Sequence, residues 1–330
     1  MLKRDLLENT FAGKTTPRIP VSLTRHWPGD DQRAADLARA TIEFQKTYDW
    51  DFIRVMPANT YCIVDYGVQD DWQGEASGKR TIIKPLIKRS LDWTEIRPLE
   101  PTRGEHGKVI ETVRMIGNGL RGEETPLLVT IYSPLVQAEG ISGQNLFIRN
   151  LRTHPDRLRT GLNVLTESTL RFIEALKQTE IAGIVYCIEH ACFSVLSEAE
   201  YASFGLPYDQ KILDSLPPRW WFNMLHLRGD TPMFTLASTY PVQAIHWNDS
   251  EDRPDLVKAK SLFRGALCGG LSHRAMERAT PTAIRDAARS AITKMDNRRL
   301  ILSSGDTLSV TTPISNLRAA REIVEIAGIL

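Results

Sequence analysis

An α/β fold, a closed (β/α)8 barrel with a β-hairpin inserted after its second strand, is what this sequence predicts. Three observations predict it. Apolar runs of strand length recur eight times, from Pro20-Val21-Ser22-Leu23-Thr24 to Arg299-Leu300-Ile301-Leu302-Ser303. Stretches of helix length separate most of them, and strands alternating with helices pair in parallel through right-handed crossovers. The 330 residues also suit one barrel plus an insertion. An open doubly wound sheet is the alternative. No GxGxxG follows the first strand, which weighs against a dinucleotide-binding version.

The elements follow in order. Residues 1–12 read as a short amphipathic helix ending near Gly13, and 20–24 as the first strand. Arg25-His26-Trp27-Pro28-Gly29 is a loop of functional side chains. Asp30 and Asp31 can cap a helix over about 32–47. Phe52 to Met56 is the second strand, stopped by Pro57. Residues 60–100, with alternating runs such as Arg80-Thr81-Ile82-Ile83-Lys84, read as the hairpin insertion, set either over the mouth or between subunits of a homodimer. A helix over about 107–118 leads to the third strand, 126–132. A long helix from Asp156 to about Gln178 leads to the fourth, 182–188, which exits at Glu189-His190. Ser197-Glu198-Ala199-Glu200 opens a helix as a capping box. The fifth strand, 222–226, is a near-continuous apolar run, as buried parallel strands are. The sixth is 242–245, the seventh 265–269 and the eighth 299–303. A last helix starts at Ile314 or Ser315. No linker divides the chain, so 1–330 reads as one domain.

Composition narrows the function. Charged residues make up 25 % and the net charge is +1, so nothing global favours nucleic acid or an anionic membrane. No apolar run approaches the length of a membrane helix, and the N-terminus lacks a signal region. The four cysteines are scattered without a CxxC pair, and Cys187 and Cys268 sit in apolar runs as packing residues. The expectation is a cytoplasmic protein.

Chemistry in such barrels sits just past the C-terminal ends of the strands. Arg25 and His26 leave the first strand there, Asn59 the second, and Tyr132 ends the third. Glu189 and His190 leave the fourth, His226 and Arg228 the fifth, His246 the sixth and Asp306 the eighth. Two chemistries suit this set. Glu189, His226, His246 and Asp306 are nitrogen and oxygen ligands of the kind zinc takes. Without a metal, Arg25 and Arg228 would clamp substrate carboxylates while a histidine or carboxylate moves a proton.

The chain resembles the uroporphyrinogen decarboxylase superfamily, which includes decarboxylases and corrinoid-linked methyltransferases. The likeness rests on Pro20 to Arg25, Phe52 to Pro57, Leu196-Ser197-Glu198-Ala199-Glu200-Tyr201 with Leu206-Pro207-Tyr208, Leu225 to Thr231, Leu267 to Leu271, and Leu300 to Gly305. It implies the (β/α)8 barrel. Of the decarboxylase machinery, Arg25 matches the first arginine. The second arginine falls at Gly29, the aspartate near Ala58, the tyrosine near Gly140 and the histidine at Gly305. The methyltransferase branch binds zinc through a His-x-Cys and a later cysteine. His226 matches that histidine, while Arg228 and Asp306 stand for the cysteines.

The resemblance therefore implies transfer of a methyl group from a small ether or amine, O-demethylation included, to cobalamin carried by a separate corrinoid protein. His226, Glu189 and Asp306 would be catalytic, holding zinc together with His246 or serving as the acid. Arg25, His26, Asn59, Tyr132, His190 and Arg228 would bind substrate. A cofactor-free decarboxylase of tetrapyrrole biosynthesis is the alternative, and a non-catalytic binding barrel the second.

Overall fold

The computed structural model describes residues 1–327. Helix α1 (Lys3–Phe11) and α2 (Ala34–Tyr48) precede β1 (Ile53–Val55). Strands β2 (Gln69–Asp71) and β3 (Thr81–Lys84) form a separate antiparallel pair within the expected insertion. Next come α3 (Gly104–Gly119), β4 (Leu127–Tyr132), α4 (Pro134–Ser142), α5 (Gln144–Thr153), α6 (Pro155–Leu176) and β5 (Gly183–Ile188). Helices α7 (Glu198–Phe204) and α8 (Leu206–Asp214) lead to β6 (Met224–Leu227), and α9 (Phe234–Ala237) to β7 (Ala244–His246). The chain ends with α10 (Leu256–Leu262), β8 (Ala266–Leu271), α11 (His273–Arg278), α12 (Pro281–Lys294), β9 (Leu300–Ser304) and α13 (Ile314–Ala327).

Seven strands make one curled parallel sheet in the order β1-β4-β5-β6-β7-β8-β9. Its central strands are buried along their whole length, which is why they read as unbroken apolar runs rather than alternating ones. Ser197 caps α7 with a reciprocal Glu200 bond. Helices α4 and α5 occupy a stretch to which the sequence assigned no element.

The expected first strand is reduced to an isolated bridge. Leu302 N–H donates to Pro20 O at 2.8 Å and Ser22 N–H to Leu302 O at 3.1 Å. On its other side Asp51 N–H donates to Val21 O at 3.0 Å. Pro20–Ser22 thus lies between the edge strands β9 and β1. It fails to extend into a ladder because Pro20 has no N–H to give. In addition, Val21 N–H is taken at 2.7 Å by the buried Asp51 carboxylate, which Arg18 also grips.

Candidate active site

The strand boundaries decide the site. Strand β7 ends one residue later than the sequence suggests, so His246 lies inside it rather than beyond, as His226 lies inside β6. They are register partners, as are Cys187 with His226 and His246 with Cys268. Register partners in a parallel sheet project from the same face. These four side chains, all buried, therefore form one inward-facing layer across β5 to β8.

The hydrogen bonds of the two imidazoles fix their tautomers. His246 Nε2 lies 2.7 Å from Ser304 O. A carbonyl only accepts, so Nε2 carries the hydrogen. Burial, with Arg54 nearby, pushes the His246 pKa down to about 4, so the ring is neutral and its Nδ1 is a bare acceptor. His226 Nδ1, 2.7 Å away, must donate to it. Burial, then His246 and Arg54, also keep His226 neutral. Its Nε2 is therefore an unprotonated lone pair. That lone pair faces Asp306 Oδ1 at 3.8 Å, and the contact is two acceptors rather than an ion pair.

Asp306 stays ionised. Burial opposes its charge, but Arg228 and then Lys79 outweigh burial and hold the carboxyl well below the usual range. Arg228 reaches Asp306 Oδ2 at 3.3 Å with Nη2 and Glu189 Oε1 at 2.9 Å with Nη1. Gly229 lets this happen: at φ +103° it brings the loop after β6 so close to that after β5 that a Cβ would lie 2.6 Å from Cys192 Sγ and 3.0 Å from Glu189 O.

The insertion covers this mouth. Val310 N–H donates to Ala76 O at 2.8 Å. Gly78, at φ +73°, packs so tightly that a Cβ would meet His26 Cβ at 2.8 Å and Val310 Cγ1 at 3.0 Å. The next residue, Lys79, thereby enters the site. Burial and then Arg228 lower its pKa, while Asp306 and Glu189 oppose them. Among the described residues its ammonium has no salt-bridge partner. His26 is buried beside it, with Nδ1 unpaired and a pKa pushed down to about 3 by burial, then Lys79 and Arg54.

The structure thus gathers His226, His246, Asp306, Arg228, Glu189 and His26. Tyr132 is buried close to Arg228 and Glu189. Three expected substrate contacts turn elsewhere. The Arg25 guanidinium lies 4.7 Å above the Trp27 ring, toward Tyr48 of α2, where stacking on an aromatic face holds it. Asn59 closes the base of the hairpin, donating to Arg80 O and accepting from Arg80 N–H. His190 Nε2 pairs with Glu139 at 2.7 Å.

The expected zinc quartet does not fit the metal. His246 spends both nitrogens on His226 and Ser304, and Glu189 and Asp306 share the Arg228 guanidinium. No group of three or more potential ligands stands together among the described residues. Two site residues escaped the sequence reading, Lys79 and Arg54. A signal existed for Arg54: a charge inside the apolar strand run Phe52 to Met56 calls for a reason.

Comparison with known proteins gives a consistent picture. The family model described as uroporphyrinogen decarboxylase (URO-D) matches residues 2–326. The methylcobamide:CoM methyltransferase MtbA of Methanosarcina acetivorans is 22 % identical over 247 residues, 74 % of this chain and 71 % of that protein. Its counterpart from Methanosarcina mazei is 23 % identical over 248 residues, with the same coverage. In structure, a methyltransferase from Methanosarcina mazei superposes with a TM-score of 0.84 at 17 % identity, covering 97 % of this chain and 98 % of the other. A B12-independent methionine synthase from Shewanella sp. W3-18-1 reaches 0.57 at 11 % identity, covering 98 % of this chain and 99 % of that one. These structural likenesses speak to the fold.

Proposed function

This chain belongs to the uroporphyrinogen decarboxylase family, and from that premise we propose that it is a methyltransferase of the (β/α)8 class, with Pro20–Ser22 as first strand. It moves a methyl group from a small N-methylated amine, held as its ammonium ion, to the cobalt of a corrinoid carried by a separate protein. The observation that carries the reading is the acceptor pair: the unprotonated Nε2 of His226 opposite the ionised Asp306 at 3.8 Å. Two acceptors that cannot bond each other suit a ligand with two hydrogens to give. A protonated secondary amine has two, and charge-assisted bonds of this kind contribute roughly 1.5–3 kcal/mol each. An ether oxygen has none, so within the expected donor class the amine is favoured. The relatives' names support only the involvement of a corrinoid: a methylcobamide:CoM methyltransferase takes the methyl group from a methylated corrinoid, whereas here the corrinoid is the acceptor.

The chemistry then needs no acid. The methyl carbon passes to the reduced cobalt of the partner's corrinoid, and the electron pair of the broken C–N bond stays on nitrogen. The proton is already on that nitrogen, so a neutral amine departs. Asp306 and His226 orient the C–N bond toward the mouth, Arg228 keeps Asp306 ionised, and Glu189 holds Arg228. Positions of this kind are where mutation costs activity steeply. This reading replaces the expected acid role of His226, Glu189 and Asp306, since none carries a proton to give near neutral pH. The decarboxylase alternative lacks the groups its chemistry draws on, with Gly29, Ala58, Gly140 and Gly305 in their places.

The test is single turnover. Purified chain and a reduced corrinoid protein are mixed with a panel of N-methylamines and methyl ethers, and the corrinoid spectrum is followed. Methylated corrinoid is expected with amines, not ethers, and His226→Ala is expected to slow it roughly 100-fold or more. Failure of every amine would refute the reading. Carbon dioxide released from a carboxylated tetrapyrrole would favour the decarboxylase, and no chemistry at all the binding barrel.

A further inference from the structure

Arg54 is a permanent cation buried inside the barrel. Its Nε donates to Thr130 Oγ1 at 3.0 Å and its Nη2 to Cys187 Sγ at 3.1 Å. Among the described residues it has no carboxylate within salt-bridge reach, and its Nη1 makes no hydrogen bond. Cys187 is no hidden counter-ion, because burial pushes its thiol up to about 11. A buried charge without a partner is strongly unfavourable, so the fold tolerates Arg54 for a reason outside the chain. Arg54 lines a cavity of about 10 Å³ together with His246, Ser304, Asp306 and Thr307. That is room for one water-sized group such as a carboxylate oxygen. Glu189, Arg228 and Lys79 gather with Arg54 around the Cys187 thiol. Three cations thus meet two carboxylates, while the imidazoles of His26, His226 and His246 are uncharged, and the site lacks one negative charge.

We propose that the methyl donor supplies that charge: it is a small zwitterion, an N-methylated amino acid whose carboxylate is received by Arg54 and Lys79 while its ammonium sits between His226 and Asp306. This rests on the functional reading for the ammonium half. The carboxylate half rests on Arg54 and Lys79 and is tested without turnover.

Thermal unfolding of the full chain at pH 7.5 is followed with acetate, with acetamide as its neutral partner and sodium chloride at matched ionic strength. At about ten times the dissociation constant, acetate is expected to raise Tm by about 1–3 °C. Acetamide and chloride are expected to leave it unchanged. Arg54→Met, which removes the unpaired charge, is expected to melt higher than the parent chain yet show no response to acetate. Lys79→Met, at the exposed end of the site, is expected to weaken carboxylate binding about tenfold, and it keeps the test decisive should Arg54→Met fold poorly. Equal responses to acetate, acetamide and chloride would overturn the proposal, as would an undiminished acetate response in both variants. A carboxylate response without methyl transfer would uphold this anion site and sink the functional reading. Equal transfer from neutral-chain and carboxylated N-methylamines would do the reverse.

Discussion

Tyr186 and Cys187 are neighbours on β5, and their side chains leave opposite faces of the strand for two buried polar clusters. Behind the sheet, Tyr186, Tyr201 and Tyr240 all donate to the buried Asp209 carboxylate, at 2.6, 2.5 and 2.7 Å. In front, Cys187 accepts from an Arg54 that among the described residues has no counter-ion, near a His26 whose Nδ1 has no partner among them. The first cluster is closed within the chain: its hydroxyls meet a carboxylate and tie β5, α7 and the loop after α9 together. The second is left open. Satisfied buried networks specify a structure, whereas unsatisfied groups cost stability and persist where something else completes them. The contrast separates what holds this fold from what it is built to bind.

Mutation at the two clusters should have opposite signs. Asp209→Ala strands three tyrosine hydroxyls in the core and should cost about 3–5 kcal/mol, read as a lower midpoint in urea. Arg54→Met should cost nothing or stabilise. If both destabilised alike, the distinction between the clusters would fail.

What the sequence made legible follows the same line. The strand runs are apolar because both faces of the parallel sheet are covered, so their order and number of crossovers could be read. His226, His246, Asp306, Arg228 and Glu189 could be placed near one mouth because polar residues end apolar runs. The pairing of His226 with His246 could not, because it depends on register, and a shift of one residue sends a side chain to the other face. Arg25 misled for a similar reason: it sits at the right point of the chain, but its guanidinium prefers the Trp27 face to the mouth. Lys79 lies in Gly74-Glu75-Ala76-Ser77-Gly78-Lys79, a polar run with no pattern. Only the docking of Gly78 on His26 brings it to the site.

The clusters also differ in how acid acts on them. Burial raises the Asp209 pKa from 3.8 to about 6. Its contribution is therefore full below pH 3.8 and lost as pH rises through 6, on the order of 3 kcal/mol. Burial lowers the imidazoles of His246 and His26 from 6.5 to about 4 and about 3. Their contribution is full above pH 6.5 and lost as pH falls toward those values. Between pH 4 and 6 the two oppose each other. Asp209→Asn should make stability climb more steeply with pH across that window, while His26→Gln should flatten the climb, both by denaturant titration at stepped pH. Equal slopes in both variants would contradict the assignment.

The central claim, that the donor is gripped through hydrogens on its nitrogen, is tested most directly by giving the enzyme a donor that has none. Initial rates of corrinoid methylation should be compared for N-methylglycine and N,N,N-trimethylglycine at equal concentration. The quaternary ammonium is the better methyl donor in intrinsic chemistry, yet the account predicts transfer from N-methylglycine alone. Faster or equal transfer from the trimethyl compound would contradict it, because nothing would then pass between nitrogen and the His226–Asp306 pair.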